Sequence, residues 1–265
     1  MFEPTTKTLS DGYKKRFVFY EKIHSIKQLD MDRLIKAINP REGEVILDLM
    51  SGYGSVTTNI LEYTKKNNIC VNTVLLDKHK EQLIRSDLLV LKIVADARKL
   101  PFLDNSVDKI IIKMGLHELP KKGQQKVVNE VFRVLKKGGE VFIWEALAKN
   151  TSEQLLFQKS VRKKDELAGF HSFCSNRYFL REDELFELLQ QSNFVDVKVF
   201  HRFKYTLSTK GRLESEFLGD TQKLDEWNNY IRTIITDEQK TKFGFVDKGE
   251  TIQLTFNFGL VKAIK

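Results

Sequence analysis

The chain predicts an α/β protein with a doubly wound, mostly parallel sheet and helices on both faces. Three observations carry this expectation. Short apolar runs suited to buried strands alternate with stretches of helical periodicity, the pattern of βαβ units. Three successive apolar runs end in an acid: EVILD at 44–48, VNTVLLD at 71–77 and LKIVADA at 91–97. The first of them is followed by two glycines spaced one apart, Gly52 and Gly54, and then by a helix-like continuation, which reads as strand, tight turn and helix N-terminus.

Residues 1–40 read as an N-terminal helical region closed by Pro40. Within it Leu29, Met31, Leu34, Ile35 and Ile38 make an amphipathic helix. Ahead of these, Tyr13, Phe17 and Tyr20 fall on roughly one helical face, as packing onto the domain or as a lid over a ligand. After the glycine turn a helix is expected from about Val56 to Lys65. EQLIRSDLLV at 81–90 reads as a helix and loop, and DKIIIKMG at 108–115 as a fourth strand. Gln124 to Lys136 is a strong helix with Val127, Val128, Val131, Phe132 and Leu135 on one side, and Gly138-Gly139 is expected to stop it. EVFIWEA at 140–146 is a fifth strand.

From Leu147 the pattern loosens. Residues 148–178 are polar with scattered aromatics and partly helical. Asp183 to Gln191 is a helix that packs Leu185, Phe186, Leu188 and Leu189. FVDVKVFHRF at 194–203 and TIQLTFNFGL at 251–260 alternate as strands do. Between them lies a charged insertion, about 206–249, which carries Phe217, Leu218, Trp227, Tyr230, Ile231, Phe243 and Phe245. The organisation expected is a helical lid at 1–40 and one domain at 41–265, with covering segments at about 148–178 and 206–249.

Composition bounds the class. With 265 residues, 41% hydrophobic and 30% charged, the chain reads as an ordinary globular protein. No apolar run approaches the ~18–20 residues of a membrane span. Residues 1–30 lack the apolar core of a signal peptide. Cys70 and Cys174 give neither a disulfide framework nor a metal spacing, so a reducing, cytoplasmic setting and no metal are expected. The net charge of +8 permits anionic partners, but the basic residues are scattered among acids. The densest cluster, Lys159 to Lys164, is interrupted at once by Asp165 and Glu166 and reads as a solvated surface.

In a parallel sheet with right-handed crossovers, Asp48, Asp77 and Asp96 line one edge, where open α/β sheets bind ligands. Glycines in the turn let a ligand approach backbone that a Cβ would block. Asp48 at the strand end would repel a pyrophosphate and welcome a cationic or hydroxyl-bearing group. Asp77 follows Gly54 by about twenty residues, the offset at which a carboxylate grips ribose hydroxyls.

These residues resemble the class I S-adenosylmethionine-dependent methyltransferases, particularly the small-molecule group that includes ubiquinone and menaquinone biosynthesis enzymes. VILDLMSGYGS is similar to the family's Asp-Leu-Gly-Cys-Gly-x-Gly loop, VADARKLPFLDNSVDKIII to its third and fourth motifs, and EVFRVLKKGGEVFIWE to its helix-glycine-strand motif. The likeness covers about residues 40–147 in order. It implies a seven-stranded Rossmann-like sheet whose last strand is antiparallel, and S-adenosylmethionine as cofactor. It implies that Asp48, Gly52 and Gly54 frame the methionine moiety and that Asp77 binds the ribose hydroxyls. Asp96 would accept from the adenine amino group, with Ala97 near the ring and Leu76 and Lys78 beside it. The backbone at Lys113 and Met114 would face the cofactor's ammonium. The chain departs from the family where Met50 replaces the first glycine and Ser51 the cysteine. A side chain at Met50 restricts the turn if that position needs positive φ.

Methyl transfer is an in-line displacement from a sulfonium, so the protein chiefly aligns acceptor and methyl. A base is needed only if the acceptor must lose a proton. Candidates are His117 and Glu118 past the fourth strand, Glu145 at the end of the fifth, and His171 beyond it. His24, His79 and His201 read as structural or solvated. Phe217, Trp227 and Tyr230, with Tyr13, Phe17 and Tyr20, are the expected acceptor pocket, which suggests a small apolar or aromatic substrate. The same aromatics also suit lid packing or a homodimer interface.

Three other readings stand beside this one. A nucleic-acid methyltransferase suits the basic charge, but no Asn-Pro-Pro-aromatic motif and no nucleic-acid module is present. An NAD-dependent oxidoreductase wants a third glycine where Thr57 stands, and no acid at Asp48. A non-catalytic methyltransferase-like scaffold would follow if Met50 closed the cofactor loop.

Overall fold

The computed structural model describes residues 28–265. Tyr13, Phe17 and Tyr20 lie outside the described residues. In chain order the elements are α1 (Gln28–Ile38), β1 (Val45–Leu49), α2 (Ser55–Lys66), β2 (Asn72–Asp77), α3 (Lys80–Ile84), β3 (Leu91–Val94), β4 (Val107–Lys113), α4 (Lys121–Val134), β5 (Leu135–Ala146), α5 (Thr151–Leu167), α6 (His171–Asn176), α7 (Glu182–Gln191), β6 (Val195–Ser208), α8 (Leu213–Phe217), α9 (Thr221–Ile234), α10 (Asp237–Lys242), β7 (Val246–Asp247) and β8 (Ile252–Ile264). They divide into two compact units. The described part of the larger holds residues 28–147, Leu180–Phe203 and Phe258–Lys265; that of the smaller holds Ala148–Phe179 and Lys204–Asn257.

The larger unit is built on a sheet of order β3-β2-β1-β4-β5-β8-β6. β1 to β5 are mutually parallel, and β8 runs antiparallel to β5. The expected mostly parallel sheet, with its antiparallel last strand, is present, but it has eight strands where seven are expected, because the short β7 pairs antiparallel with β8. The central strands read as unbroken apolar runs because both faces are covered. Leu47, Leu49, Leu75, Leu76, Ile110, Ile111 and Ile112 are all at or below 1% exposure. Burying each such side chain contributes roughly 1.5–3 kcal/mol.

Two boundaries differ from expectation. The helix α4 ends at Val134, and Gly138-Gly139 falls inside β5. The pairing of β4 with β5 shifts between Val107↔Leu135 and Lys109↔Glu140, so the glycines occupy an irregular strand start. Gly138 takes φ 75°, and a Cβ on Gly139 would stand 2.8 Å from the Lys136 carbonyl oxygen. Residues 28–38, placed in a lid by the sequence, belong to the larger unit. Met31, Leu34, Ile35 and Ile38 are buried, and Asp30 pairs with His201 Nε2 at 2.7 Å.

In the smaller unit the insertion folds into helices around aromatic side chains. Trp227 is fully buried, donates from Nε1 to the Ser160 carbonyl at 2.9 Å and meets Phe217 edge-on at 5.9 Å. Phe157 packs against Phe179 and Phe256. The basic run at 159–164 is not wholly solvated. Lys164 is buried, pairing with Asp165 at 2.9 Å and with Glu216, while Arg177 meets Asp165 at 3.0 Å and Arg212 meets Glu216 at 3.4 Å. The helical spacing puts Ser160 and Lys164 on the face of α5 turned to α8 and α9, which is how one lysine of the run is buried while Lys159 and Arg162 stay exposed.

Candidate active site at the carboxyl edge of the sheet

Strand register brings the predicted acids to one edge. Leu49 pairs with Leu76 and Ile112, Asp77 with Val94, and Lys113 with Trp144. The side chains of Asp48, Asp77, Lys113 and Glu145, with Asp96 just past β3, thus stand at the carboxyl ends of neighbouring parallel strands. The chain leaves β1 towards β2 on one side and returns as β4 on the other, so the crevice between β1 and β4 is the topological switch point.

The loop after β1 is a run of left-handed residues: Met50 at φ 58°, Gly52 at 56° and Gly54 at 88°. Met50 does need positive φ, and a non-glycine residue there stores of order 1–3 kcal/mol of strain. Its side chain finds room over Gly115, where a Cβ would stand 2.9 Å from Met50 Cβ and Sδ. Gly54 leads into α2 against Leu75 and Leu88, which approach its missing Cβ to 2.9 and 3.2 Å. Among the described residues, a Cβ on Gly52 would meet nothing within 4 Å. The Gly52 N–H donates to Asp77 Oδ2 at 2.8 Å, and the Ser51 N–H to the Leu76 carbonyl at 3.1 Å. Ser51 Oγ is buried with no hydrogen-bond partner among the described residues.

The acids differ in environment. Asp48 Oδ2 accepts from Thr57 Oγ1 at 2.9 Å and from the Thr57 N–H at 3.2 Å. Burial pushes its carboxyl up to about 7 against those bonds and the Lys113 charge. Asp77 is raised too, chiefly by burial, although its oxygens accept from the His79 and Gly52 N–H groups. Asp96 is held down to about 2 by Arg98, which donates from Nε at 2.9 Å, from Nη2 and from its N–H. Lys113, half-buried at the end of β4, is lowered to about 8 by desolvation, opposed by the charges of Asp48 and Glu145.

The proposed bases are only partly brought together. His117 Nδ1 stands 2.8 Å from Glu145 Oε2, and Glu145 Oε1 accepts the Leu116 N–H at 2.8 Å. A carboxylate is an acceptor, so the His117 ring donates from Nδ1. Glu118 lies on the same 3₁₀ turn, and its charge acts on Asp77. His171 is exposed at the start of α6, in the smaller unit. There Phe217 and Trp227 are consumed by packing and Tyr230 is half-buried. Ala97 is buried and Lys78 exposed beside the edge, and Met114 takes φ 55°.

A model of the ubiE/COQ5 methyltransferase family matches residues 12–163, more than half of the chain. The chain belongs to the ubiE/COQ5 methyltransferase family. The ubiquinone/menaquinone biosynthesis C-methyltransferase of Chromobacterium violaceum is 29% identical over 109 residues, 40% of this chain and 44% of that protein. The Neisseria meningitidis serogroup A enzyme of the same name is 24% identical over 166 residues, 60% of this chain and 62% of that one. The chain thus spans less than two thirds of the length of these relatives. The YcgJ protein from Bacillus subtilis shares the fold at TM-score 0.74 and 18% identity, over 90% of this chain and 98% of that one.

Sequence reasoning named the acids and glycines that meet at this edge but missed their supports. Thr57 anchors Asp48 from the first turn of α2, and Arg98 clamps Asp96 from two residues downstream. Nothing in the sequence marks Gly115, whose missing Cβ leaves room for Met50. His117 and Glu145 were named separately; that they form a pair follows only from β5 lying next to β4.

Proposed function

We propose that this chain binds S-adenosylmethionine across the β1–β4 crevice and transfers its methyl group to a small, planar, largely apolar acceptor. The supporting observation is the hydrogen bond from Gly52 N–H to Asp77, beside space at Gly52 that no described residue fills: backbone a ligand can approach, tied to the acid that would take ribose hydroxyls. The residues fit the cofactor in three respects. Ser51 Oγ is buried and unpartnered among the described residues, Asp48 and Asp77 supply negative charge for a cation, and the Met50 side chain is absorbed by Gly115 instead of closing the loop. That last feature favours an enzyme over a scaffold.

When bound, S-adenosylmethionine supplies a methyl on a sulfonium whose departure leaves a neutral thioether. The chain's residues do the rest. Asp48, fixed by Thr57, and Asp77, fixed by Gly52 and His79, hold the crevice negative. Glu145 orients the His117 ring, and His117 Nε2 takes a proton from an acidic acceptor, which makes an oxygen or a ring carbon conjugated to it more nucleophilic. His117 is the base in this reading and Glu145 its positioning residue. The names of the relatives, C-methyltransferases of quinone biosynthesis, support carbon as the acceptor atom.

The test is titration of S-adenosylhomocysteine, followed by transfer of labelled methyl to a panel of phenols and quinols. Micromolar binding and transfer that falls with His117→Ala are expected. Absence of cofactor binding at millimolar concentration overturns the reading. Binding with transfer only to RNA replaces the acceptor class.

A further inference from the structure

Lys113 is a cation set between two acids at the carboxyl edge of the sheet. It ends β4 at the switch point, between Asp48 on β1 and Glu145 on β5, and both carboxylates act on it electrostatically. Yet it forms no ion pair within the described residues. Its hydrogen bond runs from Nζ to Ser55 Oγ at 3.4 Å, and the ammonium stands 5.7 Å from the Trp144 ring centroid. An ammonium has three donors. One long bond and a marginal ring contact leave most of that capacity unspent on a half-buried charge, an arrangement that costs free energy unless something completes it.

The neighbourhood says what would complete it. Ser55 opens α2, a helix of 12 residues that Gly54 enters without a side-chain cap and whose first turn holds no acid. A hydroxyl, the positive end of a helix and an ammonium converge beside the glycine loop. Glu145 is turned away from this role, with Oε2 on His117 and Oε1 on the Leu116 N–H. Asp48 Oδ2 is held by Thr57, and no ion pair joins Asp48 to Lys113 among the described residues.

We propose that Lys113 is the anchor for the α-carboxylate of the cofactor's methionine end, with Ser55 Oγ beside it. This rests on the S-adenosylmethionine reading above and deepens it: the acids receive the cationic groups of the zwitterion and Lys113 receives the anionic one. Desolvation of Lys113, which holds its pKa at about 8, leaves it charged at neutral pH and is relieved by a carboxylate partner.

The test compares four ligands on the wild type and on Lys113→Met, Lys113→Gln and Lys113→Arg at pH 7 by titration calorimetry. They are S-adenosylmethionine, S-adenosylhomocysteine, decarboxylated S-adenosylmethionine and 5′-methylthioadenosine, which lacks the amino-acid end altogether. Lys113→Met and Lys113→Gln should weaken the two carboxylate-bearing ligands by roughly 10–100-fold, the range of a lost charge-assisted hydrogen bond. Methylthioadenosine should change less than about twofold, and the decarboxylated cation should bind as well or better, because a like charge has gone. Lys113→Arg should keep most of the affinity.

The decisive sign is the split between the two cations. If Lys113 were only background charge, its loss would tighten S-adenosylmethionine as well. Parallel shifts of both cations, no shift in either, or loss of methylthioadenosine together with the rest would each overturn the assignment. A wild type that binds none of the four would sink the cofactor reading itself, a different outcome.

Discussion

The side chain of Met50 lies over the bare α-carbon of Gly115, so that a Cβ added there would stand 2.9 Å from Met50 Cβ and Sδ. Two loops, one after β1 and one after β4, are fitted to each other by this exchange of a glycine for a methionine. Gly115→Ala should therefore overpack the site and cost about 1–3 kcal/mol. In a Met50→Gly background the same change should cost little, because the clashing atoms are gone and the positive φ at position 50 is relaxed. Denaturant unfolding of the four proteins of the cycle measures this as a coupling of about 1 kcal/mol or more. Additive effects would mean that the two loops are independent.

Asp77→Asn separates charge from shape. The amide keeps an acceptor oxygen for Gly52 or His79 but loses the second acceptor and the negative charge. Cofactor affinity should fall by about 1.5–3 kcal/mol, with a smaller loss of stability. Titration of S-adenosylhomocysteine gives the first quantity and thermal unfolding the second. Unchanged affinity would remove Asp77 from the ribose role.

The apolar runs, the acids that end them and the glycine turn were all legible in the sequence, because buried parallel strands leave a continuous hydrophobic signal. What hid was whatever depends on which strand lies next to which. Gly115 gains meaning only once β4 lies beside β1, and Glu145 meets His117 only because β5 lies beside β4. Phe217 and Trp227 show what composition alone leaves open. Aromatics in a charged insertion suggested a pocket, whereas the helices around them bury both rings as that unit's interior. Composition does not distinguish an aromatic that lines a cavity from one that fills it.

His117 and Glu145 should separate in kinetics. His117→Ala should lower kcat roughly 10²–10⁴-fold, the usual worth of a general base, while S-adenosylmethionine affinity stays within about twofold. Glu145→Gln should lower kcat less and alter the pH dependence of turnover, since an amide no longer enforces a proton on Nδ1. Equal losses in kcat and in cofactor affinity for His117→Ala would return the histidine to a structural role.

Asp48 makes cofactor binding sensitive to pH. Its carboxyl sits at about 7 in the fold against 3.8 for a free aspartate side chain, because burial outweighs the bonds from Thr57 and the charge of Lys113, while Asp77 adds repulsion. A pKa raised by folding means that the protonated form favours the fold. Its contribution to stability is complete below about 3.8 and is lost as pH rises through about 7. A cation in the crevice acts the other way and favours the carboxylate. S-adenosylmethionine should then release roughly half a proton or more on binding at pH 6.5, where Lys113, at about 8, is still charged and contributes little. Calorimetry in two buffers of different ionisation enthalpy counts that proton, and Asp48→Asn should abolish the release. An equal release from the variant would assign the titrating group elsewhere.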